Sequence, residues 1–276
     1  MKLEILVVLY KKQFDESVAI KSIRKNINSI KNKDYEIVLH IWNNSPKYTK
    51  KYDDKDIIWH EGENTTLPII YNTISDNVFA NDKMALLMIS DDDTDYSEYD
   101  FFNTMLTIEK IINSDNHESC GVFIPKIYSC GILVSPGSRM LFKGKRLKDV
   151  DSGMKSSKNI LAINSGMIIT YECYNRLKPL FNPELRFYGT DTDFFVRYGK
   201  VFKYIYVFEK KIEHELSENT IETDDRAFFR WQDHIYATRI TFSYYRYPIN
   251  MLLKIYIFHL KVKNAIKYRS IKYMSI

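Results

Sequence analysis

Three polar clusters in this sequence have the residue types that metal-ion and proton-transfer chemistry needs. The first is Ser90-Asp91-Asp92-Asp93-Thr94-Asp95. Carboxylates so closely spaced repel one another unless water or a cation neutralises them. A hard divalent ion accepts oxygen ligands, and Mg2+ is commonly held by one or two carboxylates together with substrate phosphates. A charge run is ordinarily a solvated turn. This one follows the apolar run Met84 to Ile89, so it stands at the end of a buried strand, and a site for Mn2+ or Mg2+ becomes the preferred reading. The second cluster, Phe187-Tyr188-Gly189-Thr190-Asp191-Thr192-Asp193-Phe194, alternates two carboxylates with small residues. An acid here, close to an acceptor hydroxyl, would take its proton as nucleophilic attack develops. Either acid equally suits the N-cap of a helix that begins before Phe194. The third is Ile212-Glu213-His214-Glu215-Leu216. Its neutral imidazole would complete a metal shell, although a lone histidine is more often structural.

Such clusters need a rigid edge to present them, and the apolar segments predict one. Ile5 to Tyr10 is a nearly continuous apolar run, and Ser17 to Ile30 places Val18, Ile20, Ile23, Ile27 and Ile30 at near-helical spacing. Tyr35 to Trp42 predicts a second strand, closed by the turn-forming Asn43-Asn44-Ser45-Pro46. Ile57 to His60 predicts a third strand, Leu67 to Val78 a helix, and Met84 to Ser90 a fourth strand. The resulting β-α-β-β-α-β order, with strands apolar on both faces, belongs to helices covering a mostly parallel sheet. Ligands of such sheets sit outside the carboxyl ends of the strands, where Tyr10, Asn43-Asn44 and Asp91 to Asp93 all fall. Beyond this half, Gly121 to Tyr128 and Gly131 to Ser135 predict strands, and Arg139 to Ser157 a mobile polar and basic loop. Leu161 to Thr170 reads as a strand interrupted by Asn164-Ser165-Gly166, and Ala227 to Tyr268 as helical with Pro248 its one obvious break.

Composition narrows the class. The 276 residues, 45% of them apolar, can bury one sizeable core with a small appendage. Abundant Tyr and Phe with sparse Gly and Pro argue for an ordered globular chain. Cys120, Cys130 and Cys173 show neither a disulfide framework nor a C-x-x-C spacing, which fits a reducing cytoplasm. The apolar stretch Ile5 to Tyr10 is too short for a signal peptide or a membrane span and reads as a first strand. A net charge of +5 is unevenly spread: Asp91 to Asp100 is strongly acidic, while from Lys254 onward every charge is basic.

The three clusters, in this order on this alternation, resemble the family 2 glycosyltransferases of GT-A fold, and more narrowly their bacterial rhamnosyltransferase-like branch. The resemblance spans roughly Lys2 to Ser217. It is carried by Ile5 to Tyr10, by Ile41-Trp42-Asn43-Asn44-Ser45 in place of a D-N-x-S turn, and by Glu63 to Asn72 in place of an N-x-G-L-x-x-A-Y-N element. It continues through Leu87 to Asp93 as a D-x-D, Ile163 to Ile169, Phe187 to Phe194, and His214. The resemblance implies an α/β GT-A architecture, a Rossmann-like α/β/α sandwich on a mostly parallel central sheet. It further implies a catalytic domain over residues 1–220 and a helical, basic and aromatic extension over 221–276. For the site it implies Asp191 as catalytic base, and Asp93, Asp91 and His214 around the metal. Tyr10, Asn43, Asn44, Asn64, Asn72, Asp91, Ser165 and Gly166 would surround the donor. Two positions depart from the pattern: Asn43 replaces the base-reading Asp, and Thr66 replaces a glycine. An amide still pairs with uracil or thymine, since it both donates and accepts.

The expected activity is inverting transfer of a sugar from a UDP- or dTDP-sugar to a hydroxyl of a saccharide or polyprenyl-linked saccharide, in bacterial surface polysaccharide synthesis. The basic-aromatic tail from Arg226 to Lys272 either lies on an anionic membrane surface, peripheral to the inner face of the cytoplasmic membrane, or packs back on the catalytic domain. Two other classes compete. A metal-dependent phosphoryl hydrolase would need more convergent acids and histidines. A nucleic-acid-binding protein would use the Tyr- and Lys-rich tail, but the acidic stretch opposes nucleic acid at the site.

Overall fold

The structure, a computed structural model, describes residues 1–30, 35–54, 57–114, 119–214 and 223–276, with the side chains of residues 28–30 and 214 outside the described set. Its first half follows the expected order with small shifts at the element ends. It runs through β1 (Lys2–Leu9), α1 (Val18–Ile30), β2 (Glu36–Asn43), β3 (Ile57–Glu61), α2 (Leu67–Asn81) and β4 (Leu86–Ser90). The chain continues through β5 (Thr94–Asp95), α3 (Phe101–Ile112), β6 (Cys120–Ser129), β7 (Ile132–Ser135), β8 (Gly137–Met140), β9 (Lys143–Arg146) and β10 (Gly153–Ser156). It ends with β11 (Ile160–Leu161), β12 (Met167–Thr170), α4 (Tyr171–Arg176), α5 (Thr190–Val201), β13 (Tyr204–His214), α6 (Asp224–Thr241) and α7 (Ile249–Lys267).

The main sheet is ordered β10-β13-β6-β12-β4-β1-β2-β3, with β5 on β13 and β7 on β6. Strands β3, β2, β1 and β4 run parallel, β12 enters antiparallel to β4 and β6, and β6 and β13 are again parallel to each other. Leu3, Ile5 and Val7 of β1 pack against Ile20 and Ile23 of α1 and Met105 and Ile108 of α3. Leu6 and Ile89 face the other way, towards Ile70 and Ile74 of α2, Cys173 of α4, and Phe194 and Tyr198 of α5. The mixed-face burial that made these strands continuous apolar runs is therefore a consequence of helices on both sides. One polar network interrupts it. Glu4 accepts from Lys2 and meets His40 Nε2, each at 2.7 Å, and His40 Nδ1 lies 2.9 Å from His60 Nε2. Burial raises the Glu4 carboxyl, but its bonds to His40 and Lys2 outweigh that and leave it lowered. Burial and the neighbouring His40 pull His60 down to about 4.

The expectation of a mobile loop over Arg139 to Ser157 is corrected. This stretch holds β8, β9 and β10; β8 forms a small separate sheet with β9 and β11, while β10 pairs antiparallel with Tyr204–Val207 of β13. Strand β9, Lys-Gly-Lys-Arg, is exposed throughout, so no apolar alternation announces it. Backbone pairing rather than side-chain burial sustains it. Helix α3 also follows an unread signal: the acidic stretch ends in Asp100, whose carboxylate caps the helix by accepting from Asn103 N at 3.0 Å. In the tail, Pro248 begins α7 as the break predicted. Ile235 and Phe242 of the tail pack with Leu253 and Ile257 of α7 on Val196 of α5 and on Phe142. Burial of each such side chain contributes about 1.5–3 kcal/mol. No helix among the described residues is long and apolar enough to cross a membrane.

Candidate functional site

The carboxyl ends of β1, β2, β4, β6 and β13 open on one edge of the sheet, and the antiparallel β12 begins there. Tyr10, next after β1, is 49% exposed, with Lys11 Nζ 5.3 Å from its ring centroid. Lys11 adopts a left-handed φ of 50° and its N–H donates to Ser45 Oγ at 2.8 Å, which ties the first crossover to the β2 turn. Asn43 and Asn44 are buried and their amides are turned into the loops. Asn43 donates to Thr49 O and accepts from Ser45 N; Asn44 accepts from Thr65 N at 2.9 Å and donates to Thr65 O and Asn64 Oδ1. Asn72 is equally committed, donating to Phe181 O at 2.8 Å and accepting from Phe181 N at 2.9 Å. These amides hold loops in register. The side-chain amides of Asn43, Asn44 and Asn72, expected around the donor, thus bond to neighbouring loop backbone.

The acidic turn after β4 is braced from two sides. Asp91 N donates to Ser165 Oγ at 2.9 Å, and Ser165 Oγ lies 2.6 Å from Thr94 Oγ1. Gly166, at φ 77°, donates to Ile89 O at 2.7 Å, and a Cβ there would come within 2.8 Å of Pro125 Cγ. Glycine is thus required where β12 approaches β4. On the other side, Asp92 pairs with Lys12 at 3.1 Å and its carbonyl accepts from Ser17 Oγ at 2.8 Å. Burial raises the Asp92 carboxyl despite Lys12. Asp91, Asp92 and Asp93 are all half-buried.

At the second cluster, Gly189 is the N-cap of α5 at φ 78°, and a Cβ there would lie 2.7 Å from Ala237 Cβ of α6. The preceding turn is fixed by Asp233 of α6, whose Oδ2 accepts from Phe187 N at 3.2 Å and Tyr188 N at 2.9 Å. Neither Asp191 nor Asp193 occupies the cap, and the two differ sharply. Asp193 is buried and bridged to Arg197 Nε at 2.7 Å, while Arg197 also donates to the carbonyls of Leu177, Pro179 and Leu180. Asp191 lines two cavities and accepts from Thr192 N at 2.6 Å. Burial pushes its carboxyl up, against the Thr192 hydrogen bonds and the nearby His234. Tyr71 connects the two acidic clusters: it is fully buried, and after burial itself, the charges of Asp91 and Asp191 both raise its hydroxyl.

A divalent ion suits this donor set only in a particular way. Asp91 and Asp93 offer oxygen at the end of β4, but among the described residues no three acids, histidines or cysteines converge. That fits an ion held by one or two carboxylates and completed by ligand phosphates, not a closed protein cage. The side chain of His214 lies outside the described residues; its backbone pairs with Thr94, directly behind the acidic turn. The role of Tyr71, the anchoring by Asp233 and the contribution of α6 to the second cluster are absent from the sequence reading. Only the Asp193–Arg197 spacing of four on a helix was there to be read.

No protein-family model and no curated protein matches the sequence. Among solved structures, GalNAc-T7 with UDP, GalNAc and Mn2+ superimposes with a TM-score of 0.55 at 10% identity, over 90% of this chain and 49% of that one. S. aureus TarS 1–349 gives a TM-score of 0.49 at 14% identity, over 87% of this chain and 65% of that one. The chain therefore spans half to two thirds of these proteins' lengths. The fold is the GT-A α/β/α sandwich, with its large, mostly parallel central sheet.

Proposed function

We propose that this chain is a metal-dependent inverting glycosyltransferase that moves a sugar from a UDP- or dTDP-sugar to a hydroxyl of a saccharide or lipid-linked saccharide, in bacterial surface polysaccharide synthesis. One observation carries the reading. On a GT-A sheet, a braced acidic turn and Asp191, a carboxylate that burial pushes up and that forms no ion pair with Lys or Arg among the described residues, both act electrostatically on the same buried Tyr71. GalNAc-T7, whose structure holds UDP and Mn2+, shares that sheet.

Asp91 and Asp93 would hold Mn2+ or Mg2+ with the donor diphosphate, His214 adding a third contact, and the ion would supply Lewis-acid neutralisation of the leaving group. Tyr10 offers its exposed ring to the nucleobase. Asn43, Asn44 and Asn64 set the walls of the base pocket, and Asn72 anchors α2, which carries Tyr71. Ser165 and Gly166 form the floor under the sugar. The acceptor oxygen forms its bond to the anomeric carbon as the bond from that carbon to the diphosphate oxygen breaks. The electron pair leaves with the nucleoside diphosphate and the acceptor proton passes to Asp191. A single base on the acceptor side gives inversion.

Helix α7 supports a peripheral location on the cytoplasmic membrane. Met251, Leu252, Ile255 and Phe258 are exposed beside Lys254, and the chain carries no acid after Asp233. That apolar stripe with cations only is suited to anionic lipid. The location would bring a lipid-linked acceptor to the site.

Thermal shift with Mn2+ and a panel of UDP-, dTDP- and GDP-sugars tests the donor reading, because a ligand bound only by the folded state raises apparent stability. A rise with a UDP- or dTDP-sugar that is lost in Asp93→Ala is expected. No shift with any nucleotide sugar would reject the function.

A further inference from the structure

Two cavities meet at Asp191. One, of ≈ 330 Å³, is walled by the small sheet and the approach to β12, with Gly137, Lys145, Arg146 and Ile163 in its lining. The other, of ≈ 280 Å³, lies between the start of α5 and the C-terminal helices, lined by Phe142, Tyr188, His234, Thr241, Phe242 and Tyr256. Gly144, Leu161, Asp191 and Thr192 belong to both.

The two cavities differ in chemistry. Apart from Asp191, the charged residues of the first are Lys145 and Arg146, on exposed β9. The second has four aromatic rings and, besides Asp191, no Asp, Glu, Lys or Arg. It also contains Thr241 Oγ1, which is buried and makes no hydrogen bond among the described residues. A buried hydroxyl left in that state is costly, so it favours a ligand that brings a polar partner. Aromatic faces with a few placed polar groups are what a ring rich in hydroxyls and C–H bonds requires. Lys145 and Arg146 on the wall beside it can offer an anion charge-assisted hydrogen bonds.

From these features we infer that the pair of cavities is a bipartite acceptor site. The α6–α7 cavity seats the acceptor sugar ring, and Lys145 and Arg146 take a phosphate or carboxylate on the same acceptor. The acceptor is accordingly an anionic saccharide, with its reacting hydroxyl presented to Asp191 at the junction. The inference rests on the glycosyl-transfer reading, and it makes the C-terminal helices part of substrate selection.

Binding of small acceptor fragments to the full chain, measured by saturation-transfer NMR without donor, tests it. The probes are neutral hexoses, the matching hexose 1-phosphates, the matching uronic acids and inorganic phosphate. A 1-phosphate or uronic acid is expected to bind at least about tenfold more tightly than its parent hexose, the size of one charge-assisted hydrogen bond. The 1-phosphate and uronate arms identify which anion is used. Lys145→Ala/Arg146→Ala should abolish that preference with an unchanged melting temperature, since both side chains are on the surface. Thr241→Val should weaken the sugars several-fold and leave inorganic phosphate unaffected. A preference that survives the double variant, equal binding of neutral and anionic sugars, or no binding by any sugar overturns the proposal. UDP binding with Mn2+ on the same sample separates the cases: if UDP binds and the sugars fail, only the acceptor site falls.

Discussion

The turn after β4 and the first turn of α5 each carry closely spaced aspartates, yet they treat their carboxylates differently. In the β4 turn the ion pair is shallow. Asp92 meets Lys12 at 3.1 Å with side chains 22% and 30% exposed. In α5 it is deep. Asp193 is 5% exposed, meets Arg197 at 2.7 Å, and through it fastens three carbonyls of the 177–180 segment. The neighbours differ accordingly. Asp91 and Asp93 keep half-buried places beside the shallow pair, and at Asp191, half-buried beside the deep one, burial pushes the carboxyl up, which suits holding a proton. Similar strings of acids thus acquire different chemistry from the depth at which the adjacent acid is anchored.

The largest effect should come from Asp191→Asn, with transfer falling roughly 10²–10⁴-fold, the range lost with a positioned base. Its stability should move the other way. A carboxyl whose folded pKa is raised binds its proton more tightly in the folded state, so ionising it at higher pH costs stability. The amide removes that cost. The variant should therefore melt at or above the wild-type temperature at pH 7, the difference vanishing below about pH 4, where the unfolded carboxyl is itself protonated. Wild-type turnover, or a clear loss of stability at pH 7, would break the comparison. Asp193→Asn should show the reverse pattern. Breaking a buried pair costs about 3–5 kcal/mol, and the partial exposure of Arg197 lowers this to about 2–3 kcal/mol, measurable by urea denaturation. Lys12→Met should cost less than about 1 kcal/mol, as expected of a pair still in contact with water. A loss comparable with that of Asp193→Asn would erase the difference in depth.

The smallest effect serves as a control far from both runs. His60 has its folded pKa lowered to about 4, so the stability linked to its neutral form is complete above about 6.5 and is lost as pH falls towards 4. His60→Gln should flatten the melting temperature across that window and leave transfer unchanged.

The half of the sheet from β1 to β4 was legible because β1 and β4 are covered on both faces and read as unbroken apolar runs, with turn signals marking the strands between them. The position of the acidic turn followed from it. Strand β9 escaped notice because Lys-Gly-Lys-Arg carries no burial pattern, and what defines it is its backbone pairing with β8. The residue types alone left Asp191 and Asp193 equal and the resemblance chose Asp191, although Arg197 four residues after Asp193 was a readable helical ion pair. Tyr71 reads as one more aromatic in a helix, because its proximity to Asp91 and Asp191 exists only after the sheet has brought distant segments together. Asn43 and Asn44 were identified as site residues by their position at a strand end and Asn72 by the resemblance, and neither signal reveals that an amide is occupied by neighbouring backbone.

Gly189 has less than a methyl's clearance from Ala237, and Asp233 grips the two residues just before it. The C-terminal helices are consequently not a detachable module. A chain cut before α6 would lose the clamp that presents Asp191, and a graft of foreign helices would succeed only with a small residue facing position 189. Changes in the cavity wall that α6 and α7 supply and changes in the turn before α5 are therefore bound to be inherited together.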